Sequence, residues 1–186
     1  MKKLVGLFTI LTLACIVLSA SPASAGYPYS WFNKYINVCG TYRKAPTTVT
    51  ALMGTDVHWW IMIKVSLPSN WGGPIKNVVV TDRFGAEIEI DSPFPVSITH
   101  GTVSYTTKGN SEKVFLTWNI ETLSPGKTAI LRFKISTDHN PAGKQEYTSP
   151  GCYELNSGTV LKFTFKEKQY SAYTHPIYVK VKGYED

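Results

Sequence analysis

Three features of the sequence predict an all-β protein built as an antiparallel sandwich. Short segments in which apolar and polar side chains alternate with a period of two recur along most of the chain. These segments are rich in β-branched and aromatic residues, and Gly-, Pro- and Asn-containing turns separate them at short intervals. No segment shows convincing helical periodicity. We therefore expect one β-domain with a sizeable core.

The stretch 116–135 shows this pattern most clearly, as two strands joined by a sharp turn at 124–127. Pro125 presets φ for such a turn, and Gly126 supplies a positive φ where one is needed. The residues of this region that we expect to face the core are Val114, Leu116, Trp118, Ile120, Leu131, Phe133 and Ile135. The other predicted strands are 34–39, 47–52, 56–67, 75–82, 86–90, 97–106, 112–120, 159–166 and 170–182. A polar loop is predicted at 138–156.

The N-terminus predicts a secretory signal peptide, at 1–25. Lys2 and Lys3 precede an apolar run at 4–18, and small residues lead to a cleavage site after Ala25. The run is short for a membrane-spanning helix. Cys15 leaves a lipoprotein open as the alternative. After the leader we expect a segment of aromatic residues and first strands at 26–55, the sandwich at 56–182, and a short tail at 183–186 with no membrane anchor.

Two cysteines follow the signal peptide, Cys39 and Cys152. A pair of cysteines in an oxidising compartment usually forms a disulfide, so we expect a Cys39–Cys152 bond, with two free thiols as the alternative. Neither cysteine has a neighbouring histidine or a C-x-x-C partner, so no metal site is expected there.

The sequence does not predict an enzyme or a cofactor. The histidines lie in no motif with a nucleophile; they are His58, His100, His139 and His175. A pair of carboxylates at a suitable separation could hydrolyse a glycosidic bond. The candidates fall on a predicted strand and its turns, where solvated charge is the ordinary explanation; they are Asp82, Glu87, Glu89 and Asp91. Calcium held by Asp82 and Asp91, or by Asp138 and Asn140, is an alternative that stays open.

Three groups of residues are candidates for binding. Trp60 and Trp71 are candidate stacking surfaces for carbohydrate, with core packing as the alternative for each. A candidate basic face for an anionic surface polymer comprises Arg132, Lys134, Lys162, Lys166, Lys180 and Lys182; ordinary solubility and protection of strand edges is its alternative. The formal net charge is +6, but a nucleic-acid partner is not expected outside the cell.

The third candidate is an assembly arm made of Tyr27, Tyr29, Trp31 and Phe32. Pro176 lacks an N–H, which favours an edge position or a bulge for the final strand, and an extended arm from a neighbouring molecule could pair with an edge. Packing of the aromatic segment on its own domain is the alternative.

Several segments occur in an order that matches a known family. They are Ile75-Lys-Asn-Val-Val-Val-Thr-Asp82, Gly101-Thr-Val-Ser-Tyr105, Leu116-Thr-Trp-Asn-Ile120, Leu123-Ser-Pro-Gly126 and Ala129-Ile-Leu-Arg-Phe133. Together they resemble the conserved-repeat, immunoglobulin-like domain of bacterial and archaeal cell-surface proteins. The resemblance implies a Greek-key sandwich, a location at the cell surface or envelope, and no catalysis.

We therefore expect a secreted structural or interaction protein whose partner is an envelope component or another copy of itself. A carbohydrate-binding module is the alternative.

Overall fold

The computed structural model describes residues 29–85, 87–108, 113–137, 147 and 149–183. Every regular element in these ranges is a strand. The strands are β1 (Phe32–Val38), β2 (Thr41–Lys44), β3 (Thr47–Leu52), β4 (His58–Ser66), β5 (Ile75–Arg83), β6 (Glu89–Ile90), β7 (Ser97–Ile98), β8 (Thr102–Lys108), β9 (Lys113–Leu123), β10 (Thr128–Ser136), β11 (Gly151–Asn156), β12 (Val160–Phe165), β13 (Lys168–Tyr173) and β14 (Ile177–Lys182). The predicted all-β class is confirmed.

Within the described ranges these strands form three sheets. The six-stranded sheet has the order β2-β1-β4-β10, with the short strands β6 and β7 both paired to β10. The five-stranded sheet has the order β13-β12-β5-β9-β8, and the three-stranded sheet has the order β11-β14-β3. The pairing is antiparallel except between β14 and β3, which run parallel. Neighbours that are distant in sequence, such as β4 with β10, require the crossovers of a Greek-key sandwich.

The inner rows of the strands share one hydrophobic core. In β4 the predicted alternation is confirmed, because Trp59, Ile61, Ile63 and Val65 are buried whereas His58 and Trp60 are exposed. The inner rows of β9 and β10 are buried as predicted; they are Val114, Leu116, Trp118, Ile120, Leu131, Phe133 and Ile135.

The turn at 124–127 carries the chain from one sheet to the other. The Lys127 N–H donates to the Ser124 carbonyl at 3.1 Å, and Gly126 has a φ of +75°. The Gly126 N–H also donates to the carbonyl of Leu67 at 2.9 Å, which ties the turn to the end of β4. The sharp turn is as predicted, but β9 and β10 belong to different sheets.

Several predicted strands differ from those observed. β2 was not predicted, because all its residues are exposed and no apolar row marks it. β11 lies inside the segment that we expected to be a loop. The predicted strand 170–182 is interrupted at Pro176, where the chain leaves the five-stranded sheet as β13 and enters the three-stranded sheet as β14. The predicted edge position holds for β13, which lies at the edge of the five-stranded sheet, but it is wrong for β14, which is the central strand of the three-stranded sheet.

The expected disulfide is also wrong for this structure, in which Cys39 and Cys152 are both free and exposed. Cys39 lies in the turn between β1 and β2 of the six-stranded sheet, with a φ of 50°. Cys152 lies in β11 of the three-stranded sheet, opposite Lys180. The two cysteines thus belong to different sheets, and no strand pairing brings them together.

We predict that both thiols of the folded mature chain react rapidly with a thiol reagent, because both side chains are exposed. Titration with a chromogenic disulfide under native, non-reducing conditions should give two thiols per chain. The single variants Cys39→Ser and Cys152→Ser should each give one. A native titration of zero that becomes two only after reduction would contradict the free-thiol state.

A second prediction concerns Gly101, which precedes β8. Its φ is +78°, and a Cβ added there would collide with the backbone carbonyl of Asn119. Gly101→Ala should therefore lower the free energy of unfolding by ~3 kcal/mol or more, as measured by chemical denaturation. Gly54→Ala is the matched control, because Gly54 has a φ of +66° but open space around it. It should lose only the left-handed cost of ~1–2 kcal/mol. Equal losses in the two variants would contradict the close packing at Gly101.

Candidate interaction surface and buried polar cluster

The outer face of the six-stranded sheet carries a row of large side chains. Antiparallel pairing aligns Tyr42 of β2 with Asn37 of β1, Asn37 with Trp60 of β4, and Trp60 with Lys134 of β10. Directly paired residues project to the same side of a sheet. Trp60 is 39% exposed and Tyr42 is 37% exposed. An aromatic and polar row therefore faces solvent across four strands.

A second row lies beside the first. Pairing aligns Lys44 with Tyr35, Tyr35 with Met62, and Met62 with Arg132. Tyr35, Met62 and Arg132 are half-buried. We call the two rows together the Trp60 face; its residues are Tyr35, Asn37, Tyr42, Lys44, Trp60, Met62, Arg132 and Lys134. This face combines aromatic planes with cationic and amide groups.

Asp91 orders one edge of the Trp60 face. Its Oδ2 lies 3.0 Å from Nζ of Lys134 and 3.0 Å from Nδ1 of His58, and its Oδ1 accepts a hydrogen bond from the hydroxyl of Ser136. Burial acts to raise the pKa of Asp91, but the hydrogen bonds from Ser136, Lys134 and His58 together hold it below its usual range. The ionised carboxylate therefore fixes the position of Lys134 next to Trp60.

The structure separates the two candidate tryptophans. Trp60 lies near the start of β4, whereas Trp71 lies in the loop after the end of that strand. Trp71 is half-buried and packs against Trp31 and Phe165, with ring centroids 5.6 Å and 5.5 Å apart. The two side chains do not form one stacking surface, and Trp71 takes the core-packing role that the sequence left open.

The six basic residues are not on one face. Arg132 and Lys134 lie in the six-stranded sheet, Lys162 and Lys166 lie on or next to β12 of the five-stranded sheet, and Lys180 and Lys182 lie in β14 of the three-stranded sheet. Strand pairing therefore does not join these residues into one row. The alternation correctly places these side chains outside the core, but the continuous basic face is a wrong prediction.

The aromatic segment packs on its own domain. Trp31 and Phe32 are buried, and Tyr29 stacks on Trp31 with centroids 5.0 Å apart. The carbonyl of Trp31 also accepts a hydrogen bond from the N–H of Ser66 at 2.7 Å. Tyr27 lies outside the described residues. For the described part of the segment, the structure matches the alternative of self-packing.

A buried polar cluster joins the three sheets, and sequence reasoning missed it. Lys34 of β1 and Asp82 of β5 are both buried, with Nζ and Oδ1 3.7 Å apart. Asn156, at the end of β11, is also buried and donates from Nδ2 to Oδ1 of Asp82 at 2.6 Å. Asp82 is therefore not the solvated charge that we expected, nor does it share a calcium site with Asp91, which lies at the outer face of the six-stranded sheet.

The sequence did contain a signal for two of these residues. Lys34 interrupts the apolar row formed by Phe32 and Ile36, and Asp82 continues the row of Val78 and Val80. A charge in an inward row indicates a buried partner, because an unpaired buried charge is very costly. Asn156 had no comparable signal.

Among the described residues no group of three or more His, Cys, Asp or Glu side chains could hold a metal ion. The same part of the chain contains no helix long and apolar enough to cross a membrane. Asp138, His139 and Asn140 lie outside the described residues.

Comparison with known proteins gives distant similarities. No protein-family model matches the chain. An uncharacterised protein of Archaeoglobus fulgidus is 36% identical over 90 residues, which are 46% of this chain and 30% of that protein. The chain therefore spans less than a third of the curated relative's length.

Several solved structures are also similar. The major pilin subunit of Bacillus cereus matches 81% of this chain and 40% of its own, with 17% identity and a TM-score of 0.47. A type I cohesin of Pseudobacteroides cellulosolvens matches 75% of this chain and 91% of its own, with 15% identity and a TM-score of 0.36. A non-cellulosomal cohesin of Archaeoglobus fulgidus matches 75% and 88%, with 10% identity and a TM-score of 0.36. These similarities are too distant to indicate an activity or a partner, and membership of the conserved-repeat family stays a prediction.

The Asp91 network predicts a pH-dependent contribution to stability. Unfolding returns the carboxyl to its usual pKa of 3.8 from a lower value in the folded protein. The stabilisation is therefore complete above pH 3.8 and is lost as the pH falls through the lower, folded pKa. Asp91→Asn should cost up to ~1 kcal/mol near neutral pH, where the pairing is partly screened by solvent.

Urea unfolding of the wild type and Asp91→Asn, near neutral pH and in acid, measures this difference. The difference between the two proteins should shrink in acid. Asp56→Asn removes the same charge at an exposed position and is the control. A difference that is equal at both pH values would contradict the Asp91 network.

Proposed function

We propose that this chain is a secreted, non-catalytic structural or interaction module of the cell surface, and that it binds its partner through the Trp60 face. One observation carries the proposal, namely a row of exposed aromatic and cationic side chains on the outer face of a paired sheet. Such a surface costs free energy when it faces only water, and patches of this kind commonly mark binding sites.

The composition of the Trp60 face suits a protein or polymer partner. Tyr, Trp, Met and Arg are enriched at the centres of interfaces, and all four types are present in its two rows. β1, β4 and β10 are each hydrogen-bonded to neighbouring strands on both sides, so the backbone has little conformational freedom left to lose on binding. This arrangement supports recognition of an envelope component or of a second copy of the chain.

Carbohydrate is the second candidate partner, and one feature favours it. Trp60 and Tyr42 are exposed aromatic planes with the amide of Asn37 aligned between them. Aromatic planes can stack on the apolar faces of sugars, while an amide donates to and accepts from their hydroxyl groups. Trp71 takes no part in this version of the proposal.

Self-assembly by strand addition remains a further part of the proposal, but the strand that accepts the added strand differs from the one expected. The central position of β14 excludes it as an acceptor, whereas β2 and β13 are edge strands of their sheets. β2 also carries Tyr42, so an assembly through this edge would involve the Trp60 face.

We predict that Trp60→Ala removes binding while leaving the fold intact. The mature chain and the variant are tested on a glycan array, on isolated cell envelopes, and by sedimentation for self-association. The loss should be ~2 kcal/mol or more, as for a central interface residue. Tyr173→Ala is the control, because Tyr173 is 44% exposed but lies in β13 of another sheet. Equal binding by the wild type, Trp60→Ala and Tyr173→Ala would rule out the Trp60 face as the binding site.

A further inference from the structure

We propose that Lys34 and Asn156 form an intramolecular isopeptide bond, with Asp82 as the acid–base group that promotes its formation. This inference concerns the interior of the domain and does not depend on the function proposed for the Trp60 face. It rests on three buried side chains that meet at one carboxylate oxygen.

The geometry places the amine of Lys34 and the side-chain amide of Asn156 next to the same oxygen of Asp82. Nζ of Lys34 lies 3.7 Å from Oδ1 of Asp82, and Nδ2 of Asn156 donates to that same atom at 2.6 Å. Lys34 and Asn156 are both fully buried, and Asp82 is 3% exposed. The three residues come from β1, β5 and β11, so the sandwich brings them together only when all three sheets are assembled.

Lys34 has the properties of a reactive amine. Burial lowers its pKa, and the neighbouring charges of Asp82 and Glu154 only partly oppose this effect. A lysine desolvated in this way is readily converted to the neutral amine, which is its nucleophilic form. Among the described residues, Nζ has no hydrogen-bond partner and Oδ2 of Asp82 has none either.

The side chain of Asn156 is held in one orientation. Its Oδ1 accepts a hydrogen bond from the N–H of Gly158 at 3.1 Å, and its Nδ2 also donates to the carbonyl of Arg83 at 3.0 Å. The Gly158 N–H therefore points at the oxygen on which negative charge develops when an amine attacks Cγ. The Nδ2 that must leave lies against Asp82, which can supply its proton.

The reaction balances without any further reagent. The Lys34 ammonium gives one proton to the Asp82 carboxylate, and the neutral Nζ then forms a bond to Cγ of Asn156. A second proton passes from Nζ to Nδ2 through the Asp82 carboxyl group, the Cγ–Nδ2 bond breaks, and ammonia leaves. The products are a secondary amide between Lys34 and Asn156, one ammonia molecule, and Asp82 in its neutral acid form.

The bond also removes two buried charges from the core. A buried ammonium and a buried carboxylate each carry a large desolvation penalty, even when they are paired. The amide and the protonated Asp82 are both uncharged, so the cluster becomes neutral while its hydrogen-bonding groups stay close together. The bond would link β1 in the six-stranded sheet to β11 in the three-stranded sheet.

The test is mass spectrometry of the denatured, reduced wild-type chain from Gly26. We expect its intact mass to be lower than the sequence mass by one molecule of ammonia. Trypsin should fail to cleave after Lys34, and fragmentation should identify a peptide containing Lys34 joined to a peptide containing Asn156.

Three wild-type results would overturn the proposal. They are an intact mass equal to the sequence mass, a loss of ammonia with an unlinked Lys34, which would indicate a cyclised asparagine, and a loss of water with a link between Lys34 and Asp82. None of these results depends on whether any variant folds, and none bears on binding by the Trp60 face.

Variants test the role of each residue. Asp82→Ala and Asn156→Ala should both have the full sequence mass and normal cleavage after Lys34. The matched controls Lys180→Ala and Asn119→Ala change an exposed lysine and an exposed asparagine, and they should keep the link. A link that persists in folded Asp82→Ala would overturn the role of Asp82, and one that persists in Asn156→Ala would overturn the choice of Asn156.

Discussion

The assembly of this sandwich depends on a buried contact among Lys34, Asp82 and Asn156, which come from three different sheets. A buried charge is tolerated only with its partner in place, and removal of one member of such a pair commonly costs ~3–5 kcal/mol. Backbone contacts support the same junction, because the N–H of Ser157 donates to the carbonyl of Arg83 at 3.1 Å. Any relative movement of the sheets would separate these groups. The cluster therefore acts as a constraint on their relative orientation.

β1 carries both the buried Lys34 and residues of the exposed Trp60 face. Lys34 points into the core, whereas its neighbours Tyr35 and Asn37 lie in the outer rows of the same strand. The buried lysine thus holds the strand that presents the centre of the Trp60 face. On the other side of Trp60, Asp91 fixes Lys134 from the edge of the sheet. The buried Lys34 and the Asp91–Lys134 pair thus hold the exposed aromatic row in position, which favours binding with little reorganisation.

The sequence was sufficient to predict which side chains of a strand face the core, but not which strands pair or which sheets pack together. The alternation in β4, β9 and β10 reports local burial, so their inner residues were predicted correctly. The sheet to which a strand belongs depends on contacts between distant segments, and alternation carries no information about them. For this reason the six basic residues were placed correctly outside the core but wrongly on one face. Pro176 was likewise taken only as a sign of an edge strand or a bulge, and the change of sheet at this residue was not predictable.

The same limit explains why the buried cluster was missed, although the sequence pattern marked two of its residues as unusual. Lys34 and Asp82 each interrupt an apolar row, and a sequence pattern can show that each needs a partner. It cannot show that the two rows meet, because Lys34 and Asp82 are separated by 47 residues along the chain and only the packing of the sheets brings them together. Asn156 follows a segment without alternation, so its burial depends entirely on the junction with Arg83 and Gly158. Chemistry that requires all three residues can therefore arise only after the sheets have packed, and this order would make a Lys34–Asn156 bond a product of folding and not a step toward it.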